Sequence, residues 1–98
     1  MQQILKEIIE FRDARDWQQT DTPSNLAKSI IIEAAELLEN YQWSDETDDM
    51  ENVKEEIADI LIYSLAMTHD LGLDPETIIR EKLIKNAVKY PELKKSAK

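Results

Sequence analysis

Cysteine is absent from the sequence, while glycine and histidine each occur once and proline occurs three times. The absence of cysteine excludes a disulfide framework and a zinc–thiolate site. A single glycine cannot form a glycine-rich phosphate loop. The only histidine, His69, has Ala66 and Gly72 three residues away, so the chain lacks both the Glu-x-x-His motifs of di-iron bundles and a nucleophilic triad. Any phosphate chemistry must therefore rely on metal ions and the remaining side chains.

Long apolar runs are also missing, because no stretch reaches the roughly 18 residues of a membrane span, and the N-terminus has no signal-peptide layout. These features predict a cytoplasmic protein with no membrane partner. The net charge is −9, which makes duplex nucleic acid a poor partner because phosphate contacts need basic surface. Residues 1–79 carry a net −14 and residues 80–98 a net +5. The basic end suits either a small polyphosphate that arrives with a metal ion or an ordinary solvated helix terminus.

The hydrophobic pattern predicts an all-α fold with one domain over residues 1–98, a compact four-helix bundle-like protomer. Helix signals such as Pro23, Gly72 and Pro75 help to give the boundaries, and Arg12 falls among the polar residues of the first helix. The predicted helices cover Met1 to about Trp17, about Ser24 to Tyr41, about Asp48 to Leu71, and Pro75 to about Tyr90. Residues from about 92 to 98 are predicted to be a frayed tail.

The second and third predicted helices are apolar on almost every side, as the runs Ile30-Ile31-Ile32 and Ile60-Leu61-Ile62 illustrate. A chain of this length cannot bury both helices on all sides by itself. Apolar residues all around a helix of so small a protein indicate self-association. We therefore predict a homo-oligomer, either a dimer or a dimer of dimers, rather than a monomeric bundle with an apolar surface.

Two pairs of acidic residues interrupt these apolar helices, Glu33 with Glu36 and Glu56 with Asp59. Residues spaced i, i+3 lie on one face of a helix, a turn apart. None of the four has Lys or Arg three or four residues away, and carboxylates are rarely buried unless they are paired or bound to metal. If the two helices bring the pairs together, divalent cations with oxygen ligands would hold the four like charges. The pattern predicts a metal site.

Aromatic residues lie near both acidic pairs in the sequence. Trp17 precedes the first pair, Trp43 follows it, and Tyr63 is one helical turn beyond Asp59. Such rings can stack on a nucleobase, since every base has a π-face. Amphipathic aromatic residues also commonly close the ends or interfaces of helical bundles, and the residues by themselves leave both roles open.

The acidic pairs belong to a longer set of motifs. In chain order these are Arg15-Asp16-Trp17, Pro23-x-Asn25-Leu26, Glu33-x-x-Glu36-Leu37, Gln42-Trp43, Glu56-x-x-Asp59-Ile60-x-Ile62-Tyr63 and Lys82-x-x-x-Asn86-x-x-Lys89-Tyr90-Pro91. The set resembles the MazG-like superfamily of all-α nucleoside triphosphate pyrophosphohydrolases, and within it the dCTP-pyrophosphatase-like branch. The resemblance covers most of the chain. One departure is Thr20-Asp21, where the branch often has Phe-His, and it leaves the base preference open.

The resemblance implies an enzyme that converts a deoxynucleoside triphosphate, with dCTP preferred, to the monophosphate and pyrophosphate, in a house-cleaning role in the nucleotide pool. It implies a tetramer in which the catalytic carboxylates hold Mg²⁺, or Mn²⁺ in its place: Glu33, Glu36, Glu56 and Asp59. It also implies substrate-binding residues, with Trp17, Trp43 and Tyr63 at the base and Lys82, Asn86 and Lys89 at the triphosphate or sugar. An alternative from another class is a non-catalytic helical module that binds a metal or a partner through its acidic face.

Overall fold

The structure, a computed structural model, describes residues 1–93, and this range is all-α. Four α-helices follow one another along the chain, with one short 3-10 helix after the first. The α-helices are α1 (Gln2–Ala14), α2 (Pro23–Glu39), α3 (Met50–Asp70) and α4 (Pro75–Lys89), and the 3-10 helix covers Trp17–Gln19. The prediction of an all-α fold with four helices is confirmed. The part of the predicted frayed tail that follows residue 93 lies outside the described residues.

The first helix ends at Ala14 and not near Trp17, as the sequence had predicted. Asp16 adopts the left-handed conformation with a φ of 58°, and a residue in that conformation cannot continue a right-handed helix. Asp is one of the few non-glycine residues that tolerate this conformation, because its short polar side chain can bond locally. The break turns Trp17 back toward α1, where its ring packs edge-on against Phe11 with 5.5 Å between the ring centroids.

Two of the later helices begin at the prolines that the sequence indicated. Thr22 is the N-cap of α2 and Pro23 is its first residue, and Asp74 and Pro75 have the same roles in α4. The Asp74 carboxylate accepts hydrogen bonds from the backbone N–H of Thr77 at 2.9 Å and from its hydroxyl at 2.7 Å. These bonds satisfy a backbone donor that has no partner within the helix, and they hold the pKa of Asp74 below its ordinary value.

The core lies mainly between α2 and α3, which pack against each other, while α1 makes a smaller contact with α3. Within residues 1–93 the buried apolar side chains of the core are few: Ile8, Leu26, Val53 and Ala66. This packing sets the acidic residues of α2 opposite those of α3. None of the described helices combines the length and the apolar character that crossing a membrane requires.

Within residues 1–93, the fourth helix has no substantial packing against α1, α2 or α3. Its apolar residues Leu83, Ile84 and Val88 are 61%, 68% and 81% exposed. The chain measures 60 × 35 × 24 Å and has a radius of gyration of 17.2 Å, whereas a compact domain of this length would have about 13 Å. The single chain is therefore more extended than a compact domain of this length, because α4 stands apart from the other helices.

Candidate active site

Three of the four predicted carboxylates converge where α2 faces α3. One carboxylate oxygen from each of Glu33, Glu56 and Asp59 lies within 4.8 Å of the other two, so a single divalent cation could contact all three. The fourth, Glu36, is exposed but lies within hydrogen-bonding reach of Glu56. In the described part of the chain, no lysine or arginine forms an ion pair with any of the four.

Burial and crowding disfavour the charged forms of these carboxylates. Glu56 is buried, and its Oε2 atom has no hydrogen-bond partner among the described residues. A hydrogen bond shared with Glu36, loss of solvation and repulsion from Glu33 together raise the pKa of Glu56 to about 7. Loss of solvation, followed by repulsion from Glu36 and Asp59, also raises the pKa of Glu33. A buried, unpartnered carboxylate oxygen among like charges needs a cation, so this donor set fits a hard divalent ion.

A pocket of about 400 Å³ adjoins the carboxylates, a volume within the range of small-molecule sites. Asp59 belongs both to the pocket wall and to the carboxylate cluster, so a ligand in the pocket would have one end near the cation. Loss of solvation, with repulsion from Asp59, raises the pKa of the Tyr63 hydroxyl, which therefore stays protonated near neutral pH. The lining residues are Glu7, Ile8, Phe11, Arg12, Trp17, Asp21, Leu26, Asp59, Ile62, Tyr63 and Ala66.

Arg12 is a pocket residue that the sequence pattern did not identify. Although it falls among the polar residues of α1, it is only 3% exposed. Its two terminal nitrogens, Nη1 and Nη2, donate to the carboxylate of Asp70 at 3.0 and 2.8 Å, and its Nε atom lies 3.7 Å from Oδ2 of Asp21. Asp70 is 58 residues away from Arg12 in the chain, so no local spacing could have indicated this pair.

The remaining predicted site residues stand apart within one chain. Trp43 is 90% exposed and lines a separate pocket in the connection between α2 and α3. Lys82, Asn86 and Lys89 share one face of α4 by their i, i+4, i+7 spacing, and α4 has no substantial packing against the helices that carry the carboxylates. A single chain thus brings together the carboxylates, Trp17 and Tyr63, but not Trp43 or the residues of α4.

Comparisons with known proteins identify the family of the chain. The model of the MazG-like family matches residues 28–98. The chain is 29% identical over 100 residues to dCTP pyrophosphatase 1 of Mus musculus and 28% identical to that of Homo sapiens, covering in each case 93% of this chain and 59% of the relative.

The chain thus spans about three-fifths of the length of these curated relatives. A solved structure with a similar fold is the crystal structure of a pyrophosphatase from Archaeoglobus fulgidus. It superposes with a TM-score of 0.84 at 42% identity, over 94% of this chain and 93% of that one. The family match covers well over half of the chain, and the matched residues include all four predicted carboxylates. The chain belongs to the MazG-like family.

Proposed function

We propose that the chain is one MazG-like domain that hydrolyses deoxynucleoside triphosphates to monophosphate and pyrophosphate with Mg²⁺, and that dCTP is the preferred substrate. The observation that carries the proposal is the cluster of Glu33, Glu56 and Asp59, which lacks cationic partners in the described part of the chain and shares Asp59 with an aromatic pocket. The relatives named dCTP pyrophosphatase 1 and the neighbour named pyrophosphatase support the reaction class.

The carboxylates would bind the cation, with Glu33, Glu56 and Asp59 as direct ligands and Glu36 completing the set. Mg²⁺ fits these oxygen donors, and Mn²⁺ is the alternative. A bound cation would neutralise the phosphate oxygens and lower the pKa of a water for in-line attack at the α-phosphorus. The pocket of Trp17 and Tyr63 would hold the base, so that the two ends of the substrate lie on either side of Asp59.

A homo-oligomer, with a tetramer as the form implied by the family resemblance, is part of the proposal. Besides the apolar residues of α4, Ile31, Ile32 and Leu38 of α2 are 66%, 54% and 65% exposed. If Lys82, Asn86 and Lys89 contact the triphosphate, a neighbouring copy would have to supply them, because their helix stands apart from the carboxylates of its own chain. The same reasoning applies to Trp43. The cytoplasmic location and the house-cleaning role stay predictions from the sequence.

The test is product analysis with a panel of dNTPs in Mg²⁺ and in EDTA. We expect pyrophosphate and the monophosphate in Mg²⁺, no turnover in EDTA, and nearly complete loss of turnover in Glu36→Gln. The matched control is Glu55→Gln, which makes the same chemical change at an exposed position of α3 and should retain turnover. Orthophosphate as the product would contradict attack at the α-phosphorus. Binding of Mg²⁺ without hydrolysis of any dNTP would favour the non-catalytic module instead.

A further inference from the structure

Asp21 lies in the pocket wall with unused hydrogen-bonding capacity. Its side chain is 27% exposed, and its nearest cationic partner is Arg12 Nε at 3.7 Å, a distance longer than a hydrogen bond. Among the side-chain hydrogen bonds of residues 1–93, none ends on the Asp21 carboxylate. An ionised carboxylate has about four acceptor positions. A partly buried acceptor of this kind, set in a mostly apolar pocket, is suited to a ligand that brings a donor.

The backbone around Asp21 holds its carboxylate in a fixed place relative to the aromatic wall. The N–H of Asp21 donates to the carbonyl oxygen of Trp17 at 2.8 Å, and the N–H of Thr22 donates to that of Thr20 at 3.1 Å. The side-chain amide of Asn25, in the first turn of α2, also donates to the Thr20 carbonyl at 3.0 Å. These bonds tie the segment to the 3-10 helix on one side and to α2 on the other. A ligand stacked on Trp17 would therefore meet Asp21 at a set distance.

Arg12 lies next to Asp21 in the lining of the pocket. Both of its terminal nitrogens are engaged by Asp70 in a bidentate pair, and this geometry fixes the guanidinium plane. Arg12, held by Asp70 and 3.7 Å from Asp21, is thus a positioning residue for Asp21.

We propose that Asp21 accepts a hydrogen bond from the exocyclic amino group of the base, so that the pocket selects cytosine over uracil and thymine. The inference rests on the proposed function and names the residue that sets its specificity. Carboxylates accept from the 4-amino group of cytosine, whereas uracil and thymine place an acceptor oxygen at the same position, which a carboxylate repels.

No other pocket residue accounts for this discrimination. Stacking on Trp17 and Tyr63 tolerates any base. Asp59 is directed to the carboxylate cluster, and Glu7, the remaining acid of the lining, is exposed to solvent. The choice between an amino group and a carbonyl oxygen therefore depends on Asp21.

The experiment compares wild type with Asp21→Asn for hydrolysis of dCTP and dUTP and, by calorimetry, for binding of dCMP and dUMP. An amide can offer a donor to a carbonyl oxygen, so the preference for cytosine should fall about tenfold or more, within the roughly 5- to 150-fold range of a specific base contact. The matched control is Asp45→Asn, which removes the same charge at an exposed loop position outside the pocket and should leave the preference unchanged.

A measurement on the wild type alone covers the case in which Asp21→Asn does not fold. The 2-pyrimidinone deoxynucleoside monophosphate carries hydrogen in place of the amino group and should bind about tenfold more weakly than dCMP. Equal binding of the two would overturn the inference, as would an unchanged dCTP-to-dUTP ratio in Asp21→Asn. A further outcome is a protein that binds dCMP more tightly than dUMP, loses that preference in Asp21→Asn, and yet hydrolyses no nucleotide. That result would support the inference and contradict the proposed reaction.

Discussion

Glu56 combines, in one side chain, the burial and the crowding that make the carboxylate cluster chemically unusual. It is 6% exposed, and one of its oxygens lacks a hydrogen-bond partner within residues 1–93. The hydrogen bond shared with Glu36, the loss of solvation and the repulsion from Glu33 raise its pKa from 4.5 to about 7. The folded, metal-free protein therefore binds a proton here at pH values where the unfolded chain has released it.

This shift predicts a pH dependence of stability in EDTA. Because the folded-state pKa of Glu56 is the higher one, its contribution is fully present below about pH 4.5 and is lost as the pH rises through 7. We expect the melting temperature of the metal-free protein to fall between pH 5 and pH 8. Glu56→Gln cannot titrate and should show a shallower fall in thermal melts at pH 5, 6, 7 and 8.

The control for this prediction is Glu55→Gln, which removes a charge from the neighbouring exposed position of α3. It should keep the slope of the wild type. A melting temperature that is flat with pH in the wild type would contradict the high pKa of Glu56. Equal slopes in wild type and Glu56→Gln would assign the pH dependence to another group.

At the residue scale, the sequence singled out the four carboxylates as candidate metal ligands because the decisive signal was local. Each acid lacked a basic neighbour at helical spacing and stood among apolar residues, and both facts are visible in a short window. The roles of Arg12 and Asp21 had no such signal. Their environment depends on Asp70, 58 residues away from Arg12, and on the left-handed backbone of Asp16, and helical spacing indicates neither.

Among the elements, α1 depends most on a single polar contact. It contacts α3 less than α2 does, and Ile8 is its only buried apolar residue. The bidentate bonds from Arg12 to Asp70 link α1 to the last residue of α3. Arg12 also lines the pocket, so the docking of α1 and the shape of the site are coupled.

Asp70→Asn should destabilise the protein. Losing hydrogen bonds to a charged partner lowers the free energy of unfolding by about 1.5–3 kcal/mol. Removing a negative charge from the C-terminal turn of α3 offsets about 0.3–1 kcal/mol of that loss. The net loss of about 1–2 kcal/mol corresponds to a melting temperature lower by about 5–15 °C for a domain of this size. Thermal melts of the two proteins in the same buffer measure it.

The comparison for Asp70→Asn is Glu10→Gln, which removes an acid from the exposed pair with Lys6 at 3.8 Å. Exposed pairs contribute about 0.2–1 kcal/mol, so this variant should melt within a few degrees of the wild type. An Asp70→Asn protein as stable as Glu10→Gln would mean that the ion pair does not hold α1 in place.

The sequence predicted the elements well wherever a start signal was present. Pro23 and Pro75 gave the beginnings of α2 and α4 correctly, because the preference of proline for the first helical turn is a local property. The predicted end of α1 was wrong because aspartate adopts the left-handed conformation only occasionally, so Asp16 gave no clear stop signal. The apolar and polar spacing of α1 continued past the residue at which the helix ends.

The whole molecule exposes more surface than a compact protein of its mass. Its accessible area is 8125 Å², whereas a folded monomer of this mass would expose about 5,800 Å². The excess of about 2,300 Å² is within the roughly 1,000–2,500 Å² that each protomer of an obligate homodimer buries. The sequence predicted self-association from helices that are apolar all around, but it could not indicate which faces remain exposed, since that depends on the packing of α2 against α3.

We predict that the protein is a stable homo-oligomer in solution and that α4 contributes to the interface. Light scattering at low micromolar concentration should give about four times the chain mass of 11.4 kDa, or about twice for a dimer. Leu83→Glu combined with Val88→Glu places two charges among the exposed apolar residues of α4 and should lower the measured mass.

Lys85→Glu introduces the same side chain at a polar, exposed position of α4 and should leave the mass unchanged. A monodisperse wild type near 11.4 kDa would refute the oligomer, and an unchanged mass in the double variant would place the interface on α2 and α3 instead.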